Sequence, residues 1–215
     1  SFADDTVAWY ENDGLESFVE HVVTTLADGA MTAYPIDLDG DGDVDVLYAS
    51  SGDDTVAACK NDGSEITLFR YITGNAEGAN TVFSIDVDGA GSADVLSTSS
   101  LDDTVAWYQT QDVKGSQTFS IVTISTLADQ AASVFAIDVD NDGDVDILSA
   151  SVGDDAVAWY ENDGAESFAE RIMTTLADGA TSVFAIDVDV DGDVDALSAS
   201  YFGDAVAWHE NDGSE

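Results

Sequence analysis

A block reading TVAWYENDG at residues 6–14 returns as TVAACKNDG at 55–63, TVAWYQTQD at 104–112, AVAWYENDG at 156–164 and AVAWHENDG at 205–213. Its aromatic position falls at Trp9, Ala58, Trp107, Trp159 and Trp208, so successive copies lie 49, 49, 52 and 49 residues apart. Self-similarity at a fixed period constrains the fold more than any other feature, because each unit must bury its apolar face against the next. The three extra residues of the third interval fall near Asp112–Gly115, where a loop is expected to absorb them.

A second block accompanies each copy: YPIDLDGDGDVDVLYAS at 34–50, FSIDVDGAGSADVLSTS at 83–99, FAIDVDNDGDVDILSAS at 135–151 and FAIDVDVDGDVDALSAS at 184–200. A third block, FVEHVVTTLADGA at 18–30, has its clearest partner in FAERIMTTLADGA at 168–180. Each unit reads as four short strands rich in β-branched and aromatic residues, ended by Asn-Gly, Asp-Gly or Ser-Gly turns. No stretch holds a helical period, and Pro35 is the single proline. The pattern predicts an all-β fold of tandem four-stranded antiparallel blades, a β-propeller or a segment of one. One repeat domain is expected over 1–215: a partial blade at 1–30, blades at 31–79, 80–131 and 132–180, and a partial blade at 181–215. Strand three occurs five times and the others four times. The surplus suggests a piece of a longer array, or a ring completed by other chains; a four-bladed ring with one spare strand is a less natural alternative.

Charge narrows the partners. There are 45 acidic residues against four basic ones, a formal charge of −41. Such a chain repels nucleic-acid phosphates and anionic lipid, and no apolar run is long enough for a transmembrane helix, so neither nucleic acid nor membrane insertion is expected. Cations are the natural counterparts. Disorder would suit the acidity but not the regular apolar runs. A saline habitat would account for the total charge but not for the regular placement of Asp. The chain opens at Ser1 without an apolar leader, so any signal peptide is expected to be already removed or never present. The lone Cys59 has no intrachain partner and reads as a small buried side chain.

The Asp residues carry the chemistry. The first loop offers Asp37, Asp39, Asp41, Asp43 and Asp45, with Gly42 at the sixth position. Carboxylates at positions 1, 3, 5 and 9 can wrap one hard cation, position 7 can add its backbone carbonyl, and the glycine permits the turn. The third loop repeats the set with Asp138, Asp140, Asp142, Asp144 and Asp146, and the fourth with Asp187, Asp189, Asp191, Asp193 and Asp195. In the second, Asp86, Asp88 and Asp94 remain, but Ala90 and Ser92 replace two acids, so that site is expected to be weak or empty. Oxygen-only ligands favour Ca2+ over Mg2+, and zinc would need His or Cys. The competing reading is that DGD merely forms a turn on a solvated surface, which three copies in register between strands disfavour. An EF-hand needs Glu at position 12, where Tyr48, Ser149 and Ser198 stand.

An aromatic-x-Ile-Asp lead-in, a nine-residue DxDxDGxxD loop and a blade of about 50 residues resemble the FG-GAP/VCBS repeats. Those repeats build integrin α-chain propellers and related propeller lectins. The resemblance implies calcium in the hairpin joining the first two strands of a blade. It also implies an extracellular or cell-surface setting, with glycans or cell-surface proteins as partners. No catalytic constellation accompanies these motifs: His21 and His209 lie in different contexts, and no nucleophile elbow, phosphate loop or zinc signature occurs. The expected role is therefore non-enzymatic adhesion or carbohydrate recognition. Alternatives are a structural module of an extracellular polymer or an accessory domain of a larger secreted enzyme. Trp9, Trp107, Trp159 and Trp208, and Tyr34 with Phe83, Phe135 and Phe184, are expected to pack between blades rather than present rings to sugars. The turns at 50–54, 99–103, 151–155 and 200–204 are read as a sugar-facing surface or a solvated rim.

Overall fold

The computed structural model describes residues 1–64, 66–113 and 116–213. All regular structure among them is β. A two-stranded sheet comes first, β1 (Val7–Asn12) with β2 (Phe18–Thr24). Three complete blades follow. The first holds β3 (Ala30–Ile36), β4 (Asp45–Ser50), β5 (Thr55–Asn61) and β6 (Ile66–Thr73). The second holds β7 (Ala79–Ile85), β8 (Asp94–Ser99), β9 (Thr104–Val113) and β10 (Ser116–Ser125). The third holds β11 (Ala131–Ile137), β12 (Asp146–Ser151), β13 (Ala156–Asn162) and β14 (Phe168–Thr174). The fourth blade has β15 (Ala180–Ile186), β16 (Asp195–Ser200) and β17 (Ala205–His209). Every pairing is antiparallel between chain neighbours, which gives the four-blade propeller arrangement.

Alternation along each strand sends one row of side chains to each neighbouring blade. In β4, Leu47 and Ala49 pack with Val82 and Val95 of the second blade, while Tyr48 packs back against Val7 and Ala27. Among the described residues the core is thus four apolar clusters, each sealed between two successive sheets, rather than one central mass. Cys59 lies in the first of these interfaces, a free thiol that burial pushes up to about 11.

The first strands pack side by side in the order β3, β7, β11, β15. Their aromatic rings form a ladder: Tyr34 to Phe83 at 5.3 Å, Phe83 to Phe135 at 5.1 Å and Phe135 to Phe184 at 4.5 Å between centroids. Hydrogen bonds reinforce the same seam. Thr32 Oγ1 donates to the Asn80 carbonyl and Thr81 Oγ1 to the Ala132 carbonyl, each at 2.7 Å.

Tryptophan burial follows the neighbours. Trp107 is buried and Trp159 packs against the third interface, but Trp9 and Trp208 are 43% and 46% exposed. Trp208 sits on the last sheet, with no further sheet beyond it among the described residues, whereas Trp9 shares the face of Val7 toward the first complete blade and lines a cavity there with Pro35, Val46 and Asn61. The extra residues of the third interval lengthen the strands instead of making only a loop: β9 and β10 have ten residues each, against seven in β13 and β14. Lys114 and Gly115, at the centre of that expected insertion, lie outside the described residues.

Candidate metal centre

Each Asp loop joins the first strand of a blade to the second, so strands and not helices flank it. The loop folds on itself through its own carboxylates. In the first, Asp37 accepts from the amides of Gly40, Asp41 and Gly42 at 2.8, 3.1 and 2.9 Å. Position 5 then accepts from the amide of position 7, at Asp41, Asp142 and Asp191 alike. The sixth-position glycines adopt φ of 94°, 89°, 100° and 104°, a region that only glycine enters freely.

The ninth carboxylate is the anchor. Asp94 and Asp146 are fully buried and Asp195 is 1% exposed. Asp146 accepts from the amides of Val139 at 3.0 Å and Asn162 at 2.8 Å, and Asp94 and Asp195 take the equivalent pairs. The Asn162 side chain closes the arrangement by donating to the Val145 carbonyl at 3.0 Å. Burial pushes Asp94 and Asp146 up to about 6 despite these donors. Burial also raises Asp45, and raises Asp140 together with the charges of its neighbours. At Asp195 burial is outweighed by the Asn211 and Val188 amides and the Trp208 indole, and its carboxyl lies below the usual value. The buried indole N–H groups of Trp107 and Trp159 face Asp94 and Asp146 without completing a hydrogen bond.

Carboxylate oxygens of positions 1, 3 and 9 converge within 4.8 Å of one another in three loops: Asp86, Asp88 and Asp94; Asp138, Asp140 and Asp146; Asp187, Asp189 and Asp195. In the first loop the converging set is Asp37, Asp39 and Asp41, with Asp45 outside it. Asp39 Oδ1, Asp86 Oδ1 and Asp138 Oδ1 are buried and have no hydrogen-bond donor. Oxygen-only donor sets with orphaned buried oxygens fit a hard divalent cation, which would satisfy them and offset the mutual repulsion. The position-7 side chains stand apart from these clusters. Asp43 lies against the Asn-Asp-Gly turn, where a Cβ on Gly63 would come 2.7 Å from its Oδ2. Loop and turn therefore share one face of the blade.

Strand three supplies a residue that reading the loop alone misses. Lys60 forms ion pairs with Asp39 and, at 3.0 Å, with Asp41. At the same place in the second blade, Gln109 Nε2 donates to Asp88 at 2.7 Å. In the third the place belongs to Glu161, whose charge adds to that around Asp140. The signal was present in the sequence, in the residue before Asn of the recurring ENDG, but its reach into the loop depends on strand pairing.

A cavity of about 410 Å³ opens between the third and fourth blades beside these loops, lined by Asp140, Trp159, Glu161, Arg171, Asp193 and His209 among others. Arg171 stacks 5.3 Å over Trp159 and pairs with Glu161. His209 Nε2 lies 2.9 Å from Ser198 Oγ, the place where Tyr160 meets Ser149 in the third blade.

The opposite face has its own recurring element. Asp5, Asp54, Asp103 and Asp155 all take left-handed backbone, with φ between 56° and 58°. Each accepts an amide from the return loop, Asp54 from Gly78 and Asp155 from Gly179 at 2.8 Å. Their carbonyls accept the amides of Ala27, Ala76, Ala128 and Ala177. These aspartates are committed to holding one blade to the next.

An FG-GAP-like repeat matches residues 1–48, 37–97, 86–149 and 138–198, so that successive matches overlap on an Asp loop. No curated protein matches the chain. Among solved structures, the chain is similar to selenomethionine-substituted virginiamycin B lyase from Staphylococcus aureus. The identity is 10% and the TM-score 0.47, over 98% of this chain and 79% of that one.

Proposed function

The chain belongs to the FG-GAP-like repeat family, and from that premise we propose that it is a calcium-stabilised, non-enzymatic propeller serving adhesion or carbohydrate recognition outside the cell. The observation that carries this reading is the convergence of carboxylates from positions 1, 3 and 9 in three successive blades. Calcium suits them better than magnesium, because flexible oxygen-only loops accommodate its larger, more variable shell. The metal's contribution is charge: it offsets the repulsion among the loop carboxylates and so supports the hairpin. The protein's own residues do the rest. The position-9 Asp ties the hairpin to strand three, and the glycine at position 6 sets the turn.

Calcium titration followed by melting curves tests the metal, with a melting temperature that rises with calcium and falls on chelation as the expected result. An unchanged curve rejects it. A glycan array probed with and without calcium tests recognition, and calcium-dependent binding is expected.

A second reading, a structural module of an extracellular array, is favoured by the opposite face. Its recurring Asp residues are hydrogen-bonded within the fold, which leaves fewer groups for a sugar. A blank array alongside intact calcium stabilisation would select this reading.

A further inference from the structure

We propose that Lys60 is a built-in counter-ion for the first Asp loop, so that this loop does without a divalent metal and the third and fourth loops take the ions. The inference rests on the cation reading given above and decides which loops it applies to.

The first loop matches the third and fourth at every acidic position of its sequence, and by sequence alone the three are equals. The structure separates them at one strand-three residue. The Lys60 ammonium contacts Asp39 and Asp41, which are two of the three carboxylates that converge there. All three side chains are partly withdrawn from water, at 35% exposure for Lys60, 20% for Asp39 and 34% for Asp41. The ammonium therefore stands where a cation is called for, already bonded to it. A divalent ion entering this loop would have to break both charge-assisted contacts and then sit beside the displaced positive charge.

The other blades present the opposite arrangement in a graded series. Gln109 offers Asp88 a neutral amide donor. Glu161 adds a carboxylate beside Asp140, and Glu210 occupies the same slot in the fourth blade. Position 9 differs too. Asp94, Asp146 and Asp195 each face a tryptophan indole, whereas the residue in that slot of the first blade is Ala58, and Asp45 stays outside the converging set. Lysine, glutamine and glutamate thus grade the loops from one that holds its own cation to ones with a further carboxylate beside them.

Calcium titration calorimetry and native mass spectrometry on the full, metal-stripped chain count the ions. Two are expected in the wild type. Asp41→Ala should leave that number unchanged, while Asp140→Ala and Asp189→Ala, each within a converging set, should each remove one. Lys60→Glu, which copies the third blade, should add an ion, and Lys60→Gln serves the same purpose if the glutamate variant fails to fold. Three ions in the wild type with one lost in Asp41→Ala, or no gain in a folded Lys60 variant, would overturn the role of Lys60. A wild type that binds no ion would instead overturn the calcium reading itself.

Discussion

The amide of Asn162 donates to Asp146 Oδ1 at 2.8 Å, tying the end of strand three to the first residue of strand two through a fully buried carboxylate. Val139 donates to the other oxygen at 3.0 Å. Asp146→Ala leaves two amides without their acceptor and is expected to cost roughly 2–4 kcal/mol. Asp146→Asn keeps one acceptor oxygen and should cost less than half of that. Urea denaturation of the metal-stripped variants measures both.

The same burial sets a pH dependence. Asp94 and Asp146 rise from an ordinary value of 3.8 to about 6. The folded state then binds more protons than the unfolded state between those values, so stability falls as pH rises from about 4 to 6 and levels off above. Each displacement corresponds to roughly 3 kcal/mol. The metal-stripped chain should melt higher at pH 5 than at pH 7.5. Excess calcium should remove or reverse that order, since protons then compete with the ion. Melting curves at both pH values, with and without calcium, show the crossing.

Metal removal follows linkage. A site held at a hundredfold excess of calcium over its dissociation constant contributes about 2.7 kcal/mol. Chelation should lower the melting temperature progressively as free calcium drops, and magnesium should restore less of it than calcium does. Differential scanning calorimetry across a calcium series reads the slope.

Val190 takes the fourth loop position with a φ of 66°, where Gly40, Gly89 and Asn141 stand in the other loops. A β-branched residue in that region is strained by about 1–2 kcal/mol. Its side chain is 85% exposed and contributes little packing. Val190→Asn or Val190→Gly should therefore stabilise the fold by about 1 kcal/mol, read as a higher denaturation midpoint.

On the opposite face, Asp155 combines a φ of 58° with the hydrogen bond from Gly179. Asp155→Ala loses the acceptor and keeps the strain, so a loss of about 2 kcal/mol is expected. Asp155→Gly loses the acceptor but relieves the strain and should fall between the two. Thermal denaturation separates the three proteins.

The blades and loops were legible because the signals are local. Alternating apolar residues, turn glycines and five acids within nine residues can be read without knowing what lies across the sheet. The parts that escaped are those made by pairing. Lys60 lies 21 residues from Asp39, and only the register of β4 with β5 brings it to the loop. Trp208 carries the same motif as Trp107, yet it is exposed because its sheet is the last and no further sheet covers it among the described residues. The extra residues of the third unit look like loop material, but once β9 meets β10 their amides can continue the ladder to Val113 and Ser116.

The ring ladder from Tyr34 through Phe83 and Phe135 to Phe184 links each blade directly to its neighbours in the row. Energies in such a row add as nearest-neighbour couplings, so distant blades communicate solely through the intermediates. Cutting the chain back blade by blade should consequently lower its stability in steps, and a gap opened at Phe135 would split one cooperative transition into two.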